Sequence, residues 1–253
     1  MKMVDVHAHL TDQKFDDVEQ VVLNAEENGV GKIICSAYNL LSSQQAVDLS
    51  KRFNQVYANV GIHPENVEEW SEETIKNLEN LSKNSKIVAI GEIGLDYYWR
   101  QDTKEKQNQI FVDQINLANK LNLPIVVHSR EAMGDTIEIL KNNRPNKESL
   151  LHCYSGSVES AKILMDLGFS FSFGGVVTFS NAKTAVEVVK SLPIEKILLE
   201  TDCPYLTPVP FRGKRNEPKN VVYVADMIAR IKNMTIEEVA EKTTENAKRL
   251  FGI

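Results

Sequence analysis

All five histidines of this 253-residue chain, and two of its carboxylates, stand at the carboxyl ends of apolar runs. His7 closes Met3-Val4-Asp5-Val6 and His9 lies two positions on. Side chains alternate along an extended strand, so both rings project to one side and can bind one cation. A His-x-His pair is weak evidence alone; its weight comes from the others. His63 follows Tyr57-Ala58-Asn59-Val60-Gly61-Ile62, His128 ends Pro124-Ile125-Val126-Val127, and His152 ends Leu150-Leu151. Glu92 follows Ile87-Val88-Ala89-Ile90-Gly91, and Asp202 follows Ile197-Leu198-Leu199-Glu200-Thr201. Four histidines with two carboxylates exceed what a tetrahedral structural zinc needs. They suit two divalent ions about 3.5–4 Å apart, bridged by a carboxylate and a water. Such a pair lowers the pKa of the water, polarises a phosphoryl or carbonyl group and stabilises the developing negative charge. Mixed imidazole and carboxylate ligation leaves zinc, manganese and magnesium open, with nitrogen-rich ligation favouring the first two.

Residues so far apart meet only if the fold brings strand ends together. Apolar runs near Met3–His7, Lys32–Ser36, Val56–Ile62, Ile87–Gly91, Pro124–His128, Leu150–His152, Phe169–Phe173 and Ile197–Glu200 read as parallel strands covered on both faces. Helical stretches separate them. Asp102-Thr103-Lys104-Glu105 has the spacing of a capping box, and the helix it opens should stop at Asn122 and Pro124. Ser157 should cap a helix carrying Ala161, Leu164 and Met165 that ends at Gly168. After the eighth strand, a loop from Leu206 to Pro218 leads to two closing helices. The first carries Val221, Val224, Ala225 and Ile228, and the second opens with the capping box Thr235-Ile236-Glu237-Glu238. Eight strands each followed by a helix make an α/β fold of the (β/α)8 TIM-barrel type, one domain over residues 1–253. An open doubly wound sheet is the alternative, but no GxGxxG follows a first strand. In a (β/α)8 barrel the carboxyl ends of the strands converge, so the seven residues would meet at one mouth.

Composition narrows the class. An apolar fraction of 42% and a charged fraction of 25% are those of a globular domain. No apolar run approaches membrane-spanning length, and no secretory signal is visible, so a cytoplasmic enzyme is expected. Cys35, Cys153 and Cys203 form no CxxC pair and read as buried thiols. A net charge of −6 argues against a broad nucleic-acid-binding surface but leaves room for a local basic loop.

Seven segments then carry a resemblance: Asp5-Val6-His7-Ala8-His9, Gly61-Ile62-His63-Pro64, Gly91-Glu92-Ile93-Gly94-Leu95-Asp96-Tyr97, His128-Ser129-Arg130-Glu131-Ala132, His152-Cys153-Tyr154-Ser155-Gly156, Glu200-Thr201-Asp202-Cys203-Pro204 and Arg212-Gly213-Lys214-Arg215-Asn216-Glu217-Pro218. In order and over almost the whole chain, they resemble the successive motifs of the TatD-related deoxyribonucleases, within the wider amidohydrolase-like superfamily. The resemblance implies a metal-dependent TIM-barrel hydrolase acting on DNA, often as an exonuclease from the 3′ end. It further implies that His7, His9 and Asp202 hold one metal, that His128 and His152 hold a second, and that Glu92 bridges them. Glu92 would supply the fixed charge that many amidohydrolase relatives obtain from a modified lysine. Asp202 would also serve as general base. His63, not needed as a ligand, is assigned to the scissile phosphate or the leaving oxygen. Tyr154 and Ser129 depart from the commonest residues of the pattern, at positions that ligate nothing.

Around this set, Arg130 is a candidate for bidentate phosphate binding, against an ion pair that fixes its own loop. Arg212, Lys214 and Arg215 form a basic patch in sequence, with Arg212 the first candidate for substrate contact. Glu200 is expected to hold a ligand histidine or a basic residue in place. Tyr97, Tyr98 and Trp99 could stack bases or simply pack beneath a loop. The expected partner is DNA, single-stranded or at its 3′ ends, with no membrane and no obligate protein partner. The same metal chemistry could instead serve an amide, a lactone, a phosphotriester or an aminoacyl-tRNA ester. A non-catalytic adaptor is the remaining alternative, and the intact ligand set counts against it.

Overall fold

In the computed structural model, which describes residues 2–253, the apolar runs become eight parallel strands paired in sequence order. They are β1 (Met3–Ala8), β2 (Val30–Ser36), β3 (Val56–Val60), β4 (Ile87–Asp96), β5 (Ile125–Arg130), β6 (Ser149–Leu151), β7 (Phe169–Phe173) and β8 (Ile197–Leu199). Helices α1 (Val18–Glu27), α2 (Leu40–Arg52), α3 (Glu72–Leu81), α4 (Lys104–Leu121), α5 (Met133–Asn142), α6 (Val158–Asp166), α7 (Lys183–Ser191) and α8 (Val221–Lys232) each follow one strand, and α9 (Ile236–Phe251) ends the chain. The barrel closes at its carboxyl ends. The Asp202 amide donates to the His7 carbonyl at 2.9 Å, the His9 amide donates to the Cys203 carbonyl at 2.8 Å, and Ala8 bridges Cys203. The segment that closes the barrel therefore also brings His7, His9 and Asp202 together.

Two apolar layers hold this arrangement. Val4, Val6, Ile34, Val88, Val126, Leu150 and Leu198 fill the barrel, and Ala247, Leu250 and Phe251 of α9 continue that cluster across its amino-terminal end. Asn246 fixes α9 there by donating to the Ile194 and Ile197 carbonyls, each at 2.8 Å. The outer faces of the strands, including Ile33, Ile90, Ile125, Phe171 and Leu199, pack under the surrounding helices. One end of the barrel is thus plugged, and the other carries the polar residues.

Local signals placed most element ends. Ser157 accepts the Ser160 amide at the start of α6, and Thr235 and Glu238 form the reciprocal cap of α9, which ends at Gly252 with φ +69°. Asn122 ends α4 at φ +55°. The capping box expected at Asp102 does not form. Residues Gln101–Thr103 make a 3₁₀ turn, α4 starts at Lys104, and Asp102 instead pairs with Arg100, Nε to Oδ1 3.1 Å. A charge-assisted bond to a neighbouring guanidinium outcompetes a backbone cap here. β3 stops at Val60 rather than Ile62, and β5 continues past His128 to Arg130. β4 differs most: it runs on from the expected end at Gly91 to Asp96, fully buried throughout. No helix among the described residues is long and apolar enough to cross a membrane.

Candidate metal centre

Glu92 sits at the centre of the open mouth, buried, with every histidine of the chain around it. His152 Nε2 and His128 Nδ1 approach its Oε1 at 2.7 and 2.9 Å, and His63 Nε2 lies 3.4 Å from the same oxygen. His7 Nε2 and His9 Nε2 lie 3.3 and 3.6 Å from Oε2. Asp202 completes the set, with Oδ1 3.2 Å from His9 Nε2 and 3.8 Å from His7 Nε2. Donor atoms therefore gather in three overlapping groups: His7, His9 and Asp202; His7, Glu92 and His152; His63, Glu92 and His128.

The backbone explains the convergence. Pairing of β1 with β2 shifts register between Asp5 and Ala8, and pairing of β4 with β5 shifts between Ile90 and Ile93. Such irregularities re-aim side chains at barrel rims, and these two flank His7 and Glu92. Asp5 ties the junction together. Its Oδ2 accepts the Thr201 hydroxyl at 2.6 Å, while Oδ1 accepts the Thr201 amide at 2.9 Å and the His7 amide at 3.3 Å. Complete burial pushes the Asp5 carboxyl up to about 8, against the pull of the Thr201 and His7 hydrogen bonds. Asp202 itself takes φ +55°, which turns the chain at the point where β8 meets β1.

The outer nitrogens decide what the inner ones can do. His9 Nδ1 lies 3.0 Å from the Ser36 carbonyl, which can only accept, so the proton sits on Nδ1 and Nε2 offers a lone pair. His128 Nε2 lies 2.9 Å from Asp96 Oδ2, which leaves Nδ1 with the lone pair that faces Glu92. His152 Nδ1 faces Glu200 Oε2 at 3.8 Å, and the Ser172 hydroxyl holds that carboxylate oxygen at 2.5 Å. His63 is the reverse case. Its Nδ1 accepts the Glu65 amide at 3.2 Å, so in the neutral ring the proton is on the inward Nε2. His9 and His128 thus turn a lone pair inward, whereas His63 turns an N–H inward.

Electrostatics agree with a site for cations. Burial alone would raise the Glu92 pKa, but the surrounding imidazoles outweigh it and hold the carboxyl well below its usual range. Burial and the His152 ring beside it, stacked at 3.9 Å, push His7 down. Burial opposes protonation of His9, yet its contacts with Asp202 and Glu92 lift it to about 9. His152 is likewise raised, against burial, by Glu92 and Glu200. Both nitrogens of the buried His7 lack a hydrogen-bond partner among the described residues. A buried unsatisfied polar group costs about 1–3 kcal/mol, and a cation at Nε2 would remove that cost. The donor set and its orphaned atoms fit divalent metal.

A family model described as TatD related DNase matches residues 4–252. The chain belongs to the TatD family. A Bacillus subtilis relative, the uncharacterized metal-dependent hydrolase YabD, is 45% identical over 253 residues, covering 99% of each chain. The 3′-5′ ssDNA/RNA exonuclease TatD of Erwinia amylovora is 34% identical over 259 residues, covering 99% of this chain and all of that one. Among solved structures, the TatD homologue YjjV of Escherichia coli superposes with a TM-score of 0.94 at 29% identity, over 99% of this chain and 98% of that one. This TatD-family chain is a metal-dependent hydrolase with a TIM-barrel fold.

The rim residues separate into two kinds. Arg130 is exposed and makes no ion pair among the described residues; its guanidinium lies 4.1 Å from the Tyr98 ring centroid. Arg212, also exposed and without an ion pair among them, lies 3.9 Å over Phe179. Arg215 corrects the expectation of one basic patch. It turns away to Asp17, with two nitrogens each 2.8 Å from a carboxylate oxygen, and to Glu217. A bidentate pair with a carboxylate distant in sequence is more favourable than leaving the guanidinium in solvent beside Lys214. Tyr97 is buried, its hydroxyl 2.7 Å from Asp135, so it packs and does not stack on a ligand. Asp96 carries no role in the sequence reading, yet it fixes His128. The signal was there in the period of two that places Glu92, Gly94 and Asp96 on one face, hidden by the assumption that β4 stops at Gly91.

Proposed function

We propose that this chain is a deoxyribonuclease that hydrolyses phosphodiester bonds from the 3′ end of single-stranded DNA, using two divalent cations. One observation carries the reading: five imidazoles lie within 3.6 Å of a single buried carboxylate, beneath a rim that holds two arginines without an ion pair among the described residues. The name of the Erwinia amylovora relative supports both the substrate and the polarity. In this scheme His7, His9 and Asp202 would hold one ion and His128 and His152 the other, with Glu92 available to both. When bound, the cations polarise the phosphoryl group and make the attacking water more acidic.

The chain's own groups do the rest. Asp202 is the more open of the two carboxylates, its side chain 15% exposed against 4% for Glu92, so it is placed to take the proton of the attacking water. His63 directs its Nε2 proton into the mouth, where it can donate to the scissile phosphate or to the leaving oxygen. Arg130 and Arg212 offer in-plane N–H groups to flanking phosphates. Burial of the cluster favours a flexible strand end, because a base-paired backbone cannot bend into a recess without unstacking.

The test is a metal-reconstituted panel of single- and double-stranded DNA, RNA, and neutral amide, ester and aminoacyl-ester substrates. Zinc, manganese and magnesium are loaded separately. The expected result is release of nucleotides from 3′ ends, abolished by Glu92→Gln, His128→Ala and Asp202→Asn. Turnover confined to a non-nucleotide ester or amide would replace this reading with the same chemistry on another bond.

A further inference from the structure

Metal-dependent hydrolysis does not require the aromatic group that follows β4. Tyr98 and Trp99 are 48% and 59% exposed and meet edge to face, their rings 4.7 Å apart at 86°. Arg130 covers Tyr98 and lies 5.5 Å from the Trp99 ring centroid. This group is bolted to the metal centre. Asp96 Oδ1 accepts the amides of Tyr98 and Trp99 at 3.0 and 2.8 Å, while its Oδ2 holds His128. The Tyr97 amide donates to the Arg130 carbonyl at 3.0 Å, joining the two strands beneath. One carboxylate therefore sets the distance between a ligand histidine and an open indole.

Charge separates Arg130, like Arg212, from two other arginines of the strand-end loops. Arg100 is neutralised by Glu68 and Asp102, and Arg215 by Asp17 and Glu217. Arg130 is stacked instead, and a guanidinium stacked on a ring keeps its in-plane donors available for phosphate. Rings for bases beside a free cation for the backbone are the combination by which single strands are held. Paired bases inside a duplex are stacked on both faces, and only the terminal pair presents a free one.

We propose that Tyr98, Trp99 and Arg130 form a nucleotide platform that selects single-stranded polynucleotide, with a base on the Trp99 indole and the adjoining phosphate on Arg130. This rests on the nuclease reading above. The test compares wild type, Trp99→Ala, Trp99→Phe and Arg130→Gln, all metal-reconstituted. Substrates are oligothymidylate, oligouridylate, a blunt duplex and bis(p-nitrophenyl) phosphate, a diester with no base. For Trp99→Ala, kcat/KM on oligothymidylate relative to the small diester should fall about tenfold through KM. The preference for single strand over duplex should shrink, and Trp99→Phe should recover most of both. Oligouridylate, which lacks the 5-methyl group and carries a 2′-hydroxyl, should show the same loss in Trp99→Ala if it is hydrolysed, because either base can stack on the indole. The chain has two tryptophans, so a Trp70→Phe background leaves Trp99 as sole reporter, and oligothymidylate should quench its fluorescence without turnover. Oligonucleotide hydrolysis with an unchanged ratio in Trp99→Ala, or without quenching, overturns the platform and leaves the nuclease reading standing. Hydrolysis of the small diester with neither binding nor cleavage of any oligonucleotide overturns both.

Discussion

Gly94→Ala tests how closely β4 and β5 must approach for the site to exist. Gly94 lies between Glu92 and Asp96 on the inward face and takes φ +137°, a region that side chains rarely adopt. A Cβ there would meet the His128 carbonyl oxygen at 2.0 Å and its nitrogen at 3.1 Å. Ordinary contact begins at 3.4 Å, so the strands would have to part by about 1.4 Å at His128, a proposed ligand. The backbone conformation costs about 1–3 kcal/mol in a non-glycine residue, and a lost ladder hydrogen bond adds about 1 kcal/mol. A loss of about 3 kcal/mol is therefore expected, and with roughly 2–4 °C per kcal/mol for a chain of this size, Tm should fall by about 6–12 °C. A ligand displaced by about 1 Å should also cost roughly 100-fold in activity. Thermal unfolding and metal stoichiometry measure the two effects on one preparation. A variant that melts within about 2 °C of wild type and binds its full metal would refute the close-approach reasoning.

Three further outcomes follow from single contacts. Asp96→Asn can still accept the Tyr98 and Trp99 amides but presents a donor where His128 needs an acceptor; metal affinity should fall about 10–100-fold with little change in Tm, and an unchanged titration would remove Asp96 from its orienting role. Arg212→Ala should raise KM for a single-stranded oligonucleotide. Arg215→Ala should instead lower Tm by about 1–4 °C through its ion pair with Asp17, and the reverse pattern would show that the wrong arginine has been placed at the substrate. At the plugged end, burial works against ionisation of Glu148, but Lys196, Arg249 and Ser170 hold its pKa down to about 2. A folded pKa below the ordinary 4.5 means that its contribution is complete above pH 4.5 and lost as the pH falls toward 2. Glu148→Gln should cost about 1 kcal/mol at neutral pH after solvent screening, and denaturant curves should show that gap closing on acidification; a gap constant across the window would contradict the assignment.

The barrel and most of its mouth were readable because the histidines stand where strands end, and apolar runs show where that is. Contacts between distant segments were not readable. Arg215 looks like part of a charge run until the fold sets Asp17 beside it, and Asp102 looks like a cap until Arg100 reaches it. The extent of β4 was hidden for a related reason. Gly91, Glu92 and Gly94 are residues that ordinarily end a strand, and only the ring of imidazoles around Glu92 makes its burial tolerable.

Alternation breaks within β1, and the break helps to build the site. Strict period two in β1 would place Val4, Val6 and Ala8 on one face, with Asp5, His7 and His9 on the other. Val4 and Val6 do fill the barrel, whereas Ala8 packs in the outer layer under the helices. The strand has exchanged its faces between Val6 and Ala8, across the register shift that lies between Asp5 and Ala8. β4 makes a similar exchange across its own shift: Ala89 faces the interior and Ile90 the helices, while beyond it Ile93 and Leu95 face the helices and leave Glu92, Gly94 and Asp96 at the mouth. Without the first exchange, His7 and His9 would point out under the helices, where apolar packing could not satisfy them. The irregularity is thus what allows one strand to fill the barrel with valine below and present imidazole above. Local residue types alone do not reveal it, because Val-Asp-Val-His-Ala-His alternates equally well in either register.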